Sequence, residues 1–354
     1  MIVAFAPEVW AENSASDPLG LIEVLAACAH GRHLPLLPRA RSDRPSVDTW
    51  IAHQIEATSA LRKRLGRIVE EARRRAPQAP GGAAKITVVE SALDPLRGHL
   101  GARDAARLLQ RPLKLLVENA RNDRAFLRAV VEPGARKELD KALERGWAEF
   151  EMGGGIGEIK RRLEQLRDSD ELPELIARAR LWVMFDRDAD PKDRRSESPA
   201  SREVRELAAE LQTPWPLHAH QLRRRAIENY VPVSAIRRWW TYYDLKKGAL
   251  EARQARAEAF GALDPEIRRS FNMKKGLCGD LPSSCKSVQD LQDDRNLDPL
   301  YRPIKRGARL PLQTGFERLA DAFSTPGAIV ESELHHEVEA DERRQIMATI
   351  RERM

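Results

Sequence analysis

Hydrophobic and polar positions follow one rhythm over the first third of the chain, change rhythm in the middle, and return to the first rhythm at the end. Over residues 1–110 the apolar positions recur at helical spacing. A stretch at 19–29 predicts one helix, and the run from Val47 to about Arg75 predicts a longer one carrying Ile51, Ile55, Leu61, Leu65 and Ile68 on a single stripe. A Pro/Arg-rich passage lies between them, and the sequence Pro77-Gln-Ala-Pro-Gly-Gly82 reads as a linker or surface loop. Residues 86–89 predict one short strand before further helix up to Leu109. The expectation for 1–110 is a mostly helical region with no assigned role.

From residue 111 the period shifts. Leu113-Lys-Leu-Leu-Val117 is an apolar run of strand length, closed by Glu118 and Asn119. A helical pattern over 123–131 follows, then an extended 147–152, a Gly153-Gly154-Gly155 turn and an amphipathic helix over Ile156–Arg167. Leu181-Trp-Val-Met-Phe185 is a second buried strand and stops abruptly at Asp186-Arg-Asp-Ala-Asp190. Residues 201–211 read as helix and 215–220 as extended. Strands alternating with helices predict βαβ units on a parallel sheet, here over 111–233, and such sheets carry their ligand sites at the strands' carboxyl ends. Residues 234–354 show only helical periodicity, interrupted by a loop at 279–284 and a basic stretch at 302–309. The fold class expected is α/β, a parallel-sheet core flanked by mostly helical N- and C-terminal regions. The stripe over 47–75 and the charged final helix over 338–353 also predict self-association, for which a two-fold dimer is the commonest form.

Composition narrows this picture. The 354 residues are 42% hydrophobic and 32% charged, which excludes fibrous and wholly disordered classes. No apolar run approaches the ~20 residues of a spanning helix, so no membrane association is expected. The opening Met1-Ile-Val-Ala-Phe-Ala-Pro-Glu8 lacks a basic segment before its apolar stretch. Cys28, Cys278 and Cys285 have no metal-ligand spacing, which argues against a disulfide framework or a zinc site. A cytoplasmic location is the expectation. The net charge of +6 lends mild support to a nucleic-acid partner.

The acids at the two strand ends carry the chemistry. Glu118, Asp123, Asp186, Asp188 and Asp190 fall within reach of one crevice if both strands share a sheet. Taken singly, each acid is as well explained by a turn or a helix cap. Together they would repel one another unless a cation compensated them, and hard oxygen ligands select Mg2+ or Mn2+. Two such ions about 4 Å apart can clamp the attacking and leaving oxygens of a phosphodiester.

The strand ending in Glu118, then Asp123 with Phe126-Leu127, then Trp182-Val-Met-Phe before Asp186-Arg-Asp188, resembles the TOPRIM domain of topoisomerases, primases and nucleases of the overcoming-lysogenization-defect class. Arg223-Arg-Arg-Ala-Ile-Glu-Asn-Tyr230 is similar to an element of TOPRIM-like proteins from prokaryotic defence loci, and Phe271-Asn-Met-Lys-Lys-Gly276 and Thr314-Gly-Phe316 resemble further pieces of them. The resemblance covers roughly 111–325. It implies a metal-dependent endonuclease acting on DNA or RNA, DNA being favoured, in antiviral defence, with a separate ATPase or sensor protein as partner because no G-x-x-x-x-G-K-[ST] occurs here.

By the same resemblance Glu118 is a general acid/base or metal ligand, and Asp186 and Asp188 hold metal. Asp123 is a further ligand or a helix N-terminal acid. Glu228 is an outer carboxylate or a partner of Arg223, Arg224 and Arg225. Lys274 or Lys275 neutralises a scissile phosphate, or forms a solvated pair. Asp190, before Pro191, suits a turn. The family has Gly after the first Glu where this chain has Asn119, which tolerates a left-handed backbone. Arg302, Lys305, Arg306 and Arg309 are candidate phosphate contacts, and Ile236, Trp240 and Tyr243 a core-facing stripe. A worn module that binds nucleic acid or a partner protein, and a primase-like nucleotidyl transferase, are the alternatives.

Overall fold

A computed structural model describes residues 1–29, 32–37, 45–55, 59–75, 85–91, 93–212, 215–239, 247–282, 287 and 289–354. The predicted break at 77–82 and the positions Trp240, Tyr243 and Cys285 lie outside the described residues.

The first region comprises β1 (Ile2–Phe5), α1 (Pro18–Ala29), β2 (Leu34–Leu36), α2 (Val47–Gln54), α3 (Ala60–Arg75), β3 (Lys85–Val88), β4 (His99–Leu100) and α4 (Ala102–Gln110). Its strands form a parallel sheet in the order β2-β1-β3-β4. Helix outweighs strand here as predicted, but the region has a sheet of its own where the sequence indicated a single strand. Strands of two to four residues are too short to establish an alternation. The stripe predicted over 47–75 is divided between α2 and α3. Its Leu65 and Val69 are buried against Leu21, Leu25, Ile86 and Val88 in this region's own core.

The second region holds β5 (Leu113–Val117), α5 (Asn122–Val130), α6 (Pro133–Glu144), β6 (Ala148–Met152), α7 (Ile156–Arg167), α8 (Leu172–Ala179), β7 (Leu181–Phe185), α9 (Pro199–Glu210) and β8 (His218–Gln221). The sheet order is β6-β5-β7-β8, all parallel, with Leu115 beside Trp182 and Val117 beside Met184. Both faces are covered, which is why β5 and β7 are almost wholly apolar. Leu115, Val117, Trp182 and Met184 pack toward α5 and α6, and Leu116, Val183 and Phe185 toward α7 and α9. From β5 the chain leaves toward β6, and from the adjacent β7 it leaves toward β8. Neighbouring strands whose exits diverge open a crevice at their carboxyl ends.

The third region contributes α10 (Val233–Trp239), α11 (Lys247–Gly261), α12 (Pro265–Ser270), α13 (Arg306–Arg309), α14 (Glu331–Glu337) and α15 (Ala340–Arg351). Ile236 and Trp239 are buried in a core centred on Phe260, Phe271 and Phe316. The helix predicted over 338–353 is not a free surface helix: α15 lays Ile346, Met347 and Ile350 against the β5/β7 core, and Thr349 Oγ1 accepts from Trp182 Nε1 at 3.0 Å. Ile51 and Leu65 of the first predicted stripe are thus buried within the chain while Leu61 stays 41% exposed, and the second stripe packs on the β5/β7 core. No described helix is long and apolar enough to cross a membrane.

Candidate active site

Glu118 follows the last residue of β5 and Asp186 the last residue of β7, so the register of the two strands sets them side by side. The Asp186 N–H donates to Glu118 Oε1 at 2.8 Å. Glu118 thus faces the Asp186 loop across the crevice rather than lying on the far side of the sheet. Asp186 is itself anchored by Ser201 Oγ, which donates to its carbonyl at 3.0 Å from the first turn of α9.

Asp123 is buried in the first turn of α5, and its Oδ2 accepts from the Asn119 N–H at 2.7 Å. Asn119 does not take up a left-handed backbone; among the described residues only Asp188 and Arg318 are non-glycines at positive φ. Its side-chain Oδ1 instead accepts from the N–H groups of Arg121 and Asn122 at 3.1 and 3.3 Å, closing the turn as an Asx cap. The left-handed conformation falls to Asp188, at φ 47°, whose N–H donates to the Arg225 carbonyl at 2.8 Å. An Asp held there is a strained residue kept in place by its surroundings. Asp190 accepts from the Lys192 N–H at 2.7 Å, a turn as its sequence suggested.

The Ile227-Glu-Asn-Tyr230 element is a single 3-10 turn in which each side chain has a separate task. Ile227 enters the core. Asn229 donates to the carbonyls of Arg268 and Phe271 at 2.9 and 3.0 Å, fixing the segment that leads to Lys274. The Tyr230 hydroxyl donates to Glu342 of α15 at 2.9 Å and accepts from the Arg224 N–H. Glu228 is 6% exposed, and among the described residues its Oε2 is buried without a hydrogen-bond partner. None of the neighbouring arginines pairs with it: Arg223 goes to Asp341, Arg224 to Glu337 and Arg225 to Asp280.

Lys274 completes the group, with Nζ 3.1 Å from Asp186 Oδ2. Its loop is braced by the Thr314-Gly-Phe316 segment. Phe316 N–H donates to the Met273 carbonyl at 2.6 Å, and a Cβ on Gly315 would sit 2.3 Å from the Lys274 carbonyl carbon. Gly276, at φ 68°, lies equally close to Thr314. The two motifs that the sequence set 40 residues apart form one backbone contact beneath the lysine.

The electrostatics follow from this crowding. Burial raises Glu118, and the charges of Asp188 and Asp123 add to it against the Asp186 N–H and Lys274, leaving it at about 7. Burial likewise takes Asp123 up to about 6, helped by Glu228 and opposed by the Asn119 N–H. Asp186 is held well above the carboxylate range by burial, with Glu118, Glu228 and Asp123 reinforcing and Lys274 opposing. Burial alone would lower Lys274, but the charges of Asp186, Glu228 and Asp188 outweigh it and raise the ammonium's pKa.

The site opens into a cleft of about 430 Å³ lined by Asp188, Arg194, Arg225, Asn272, Lys274 and Lys275. Sequence reasoning missed the buried Asp280 at its wall. Asp280 takes both terminal nitrogens of Arg225 at 2.5 and 2.9 Å, Asn272 Nδ2 at 2.9 Å and the Tyr301 hydroxyl at 2.8 Å. Arg309 turns inward, donating to the carbonyls of Ile304, Leu291 and Arg302 and pairing with Asp294. It is structural, which leaves Arg302, whose Nε donates to the Leu297 carbonyl at 3.3 Å, with Lys305 and Arg306 as the exposed part of the predicted basic loop.

The donor set suits a hard divalent cation: all oxygen, strongly crowded, with one buried carboxylate oxygen of Glu228 orphaned. Among the described residues no three acid, histidine or cysteine side chains are already gathered as a ligand cage. Comparison with family models, curated proteins and solved structures gives no match.

Proposed function

We propose that this chain is a metal-dependent nuclease that hydrolyses phosphodiesters of DNA or RNA, with a separate ATPase or sensor protein controlling it in antiviral defence. The observation that carries the reading is the Glu118–Asp186 contact at the divergence of β5 and β7, backed by the orphaned Glu228 Oε2 among the described residues and adjoined, through Asp188 and Lys274, by a cleft lined with Arg194, Arg225 and Lys275. Glu118, Asp186 and Asp188 would hold Mg2+ or Mn2+, with Asp123 and Glu228 as outer carboxylates. Bound there, the cation would acidify a water and offset charge on the phosphate.

The chain's own groups do the rest. Glu118 holds its proton near neutral pH in the metal-free site; as a ligand of the cation it would be ionised, and only where it stands clear of the cation would it accept or return a proton. Lys274 brings a fixed positive charge to the mouth of the cleft, where a phosphate oxygen would gain from it. Lys275, exposed at the cleft, would align the strand by its phosphates.

The test is cleavage of supercoiled DNA and of structured RNA by the protein with its partner, in Mg2+ and in EDTA. Glu118→Ala and Asp186→Ala are each expected to lose Mg2+-dependent cutting by about 100-fold or more, and Asp190→Ala to lose little. Cutting by both alanine variants at the wild-type rate would refute the assignment and leave the binding-module reading. Nucleotide incorporation in place of cutting would indicate the primase-like one.

A further inference from the structure

At the amino edge of the second sheet, opposite the acids, basic side chains converge with no acid paired to them among the described residues. The chain crosses from α4 to β5 through Gln110, Arg111 and Pro112, and three carbonyls at the start of this crossing are taken. Leu109 O accepts from His33 Nε2 at 2.9 Å, Gln110 O from Arg32 Nη1 at 3.3 Å, and Arg111 O from both Arg32 Nη2 and Arg180 Nε. Arg32 Nη2 also donates to Trp147 O at 3.0 Å, and Arg180 Nη1 donates to Arg353 O. Two guanidiniums that share one carbonyl lie against each other, and the second of them holds the backbone of a third arginine.

Arg180 is 0% and Arg353 1% exposed. Among the described residues, all three guanidinium nitrogens of Arg353, together with Arg180 Nη2 and Arg32 Nε, are buried without a partner. The partners that do exist are neutral carbonyls. The one acid that bears on Arg353 is Glu352, whose carboxylate is engaged 2.9 Å from His218 Nε2. Burial, then the charges of Arg32 and Arg353, press Arg180 well below the ordinary arginine range. A guanidinium does not release its proton in a protein, so the imbalance calls for an anion.

We propose that this junction between the two sheet regions binds a small oxyanion of the phosphate class, clamped by Arg32, Arg180 and Arg353. Planar guanidinium forks match tetrahedral oxyanions two donors at a time, and several of them suit a doubly charged ion. Full burial of Arg180 and Arg353 excludes a nucleic-acid strand, so the site is separate from the acid cleft and does not rest on the nuclease reading.

The experiment is thermal melting of the full chain, dialysed free of phosphate, against inorganic phosphate and against sodium chloride of equal ionic strength. Phosphate is expected to raise the wild-type midpoint saturably by a few degrees above chloride. Arg353→Met should lose that response and, in phosphate-free buffer, melt no lower than wild type, because it removes a buried unpaired charge. Lys274→Met should keep the response, which separates this site from phosphate in the acid cleft. A rise with inorganic phosphate alone assigns the free ion, and one shared with glycerol 3-phosphate assigns a phosphoryl ester. Equal effects of phosphate and chloride, an unaltered response in Arg353→Met, or a response lost in Lys274→Met would each overturn the proposal. If Arg353→Met fails to fold, Arg32→Gln replaces it, and the wild-type titration still decides.

Discussion

Glu118→Gln sets stability against activity at one carboxylate. The glutamine keeps an oxygen for the Asp186 N–H, which Glu118 Oε1 accepts at 2.8 Å, and removes only the charge. Burial first, then Asp188 and Asp123, raise the folded pKa of Glu118 from 4.5 to about 7. A raised carboxyl pKa means that the folded state holds its proton more tightly than the unfolded state. Below pH 4.5 both states are protonated and the group costs nothing. Between 4.5 and 7 the unfolded state ionises first, and stability falls as pH rises. Above 7 the penalty is constant, about 2.5 pH units at about 1.4 kcal/mol each, giving a ceiling of about 3 kcal/mol. Solvent at the mouth of the cleft will reduce it. Metal-free Glu118→Gln should therefore be more stable than wild type by about 1–3 kcal/mol at pH 8, with the gain shrinking toward zero at pH 5, and should lose cleavage by about 100-fold. Urea melts of both proteins in EDTA at pH 5, 6.5 and 8 measure this. A variant that is less stable at pH 8, or a gain that does not change with pH, would refute the account of the site as a crowded, desolvated set of acids.

The other expectations follow the same geometry. Mg2+ should raise the wild-type melting temperature more at pH 8 than at pH 6, because it binds ionised carboxylates, and should raise that of Glu118→Gln less; equal shifts at both pH values would count against these ligands. Gly315→Ala places a Cβ 2.3 Å from the Lys274 carbonyl carbon and should cut activity while leaving every acid in place, at a stability cost of roughly 1–3 kcal/mol; wild-type cleavage rates would show that the Lys274 loop does not matter. Glu342→Ala strands His220, the Tyr230 hydroxyl and the Arg223 N–H inside the core and should destabilise by roughly 3 kcal/mol or more in chemical denaturation; a change under about 1 kcal/mol would mean that water replaces the carboxylate.

What the sequence discloses of this chain divides by range of interaction. β5 and β7 are legible to the residue because each is a five-residue apolar run ended by an acid, a pattern set by neighbours along the chain. The acids at their ends are legible for the same reason, since a parallel sheet fixes where strand ends meet. The first sheet is hidden because β4 is two residues long and β2 has Pro35 at its centre, so neither presents an alternation. Partner choice is hidden more deeply. Arg225 stands three residues before Glu228, yet pairs with Asp280, 55 positions away, and Arg309 is spent on carbonyls although its run of basic neighbours reads as a phosphate contact. Charge pairs are settled by the packing of the third region onto the second, which no local pattern encodes.

That packing is what makes the site more than a sheet edge. Asp188 takes its strained conformation with its N–H on the Arg225 carbonyl, Arg225 is held by Asp280, and Asp280 is held by Asn272 and Tyr301. Lys274 stands two residues beyond Asn272 on a loop clamped by Asn229 and Gly315. The acids and the Arg225 carbonyl that braces Asp188 come from the second region, while the lysine and Asp280, which holds Arg225, come from the third. Loosening the third region should therefore displace the positive charge and one carboxylate together without unfolding the sheet.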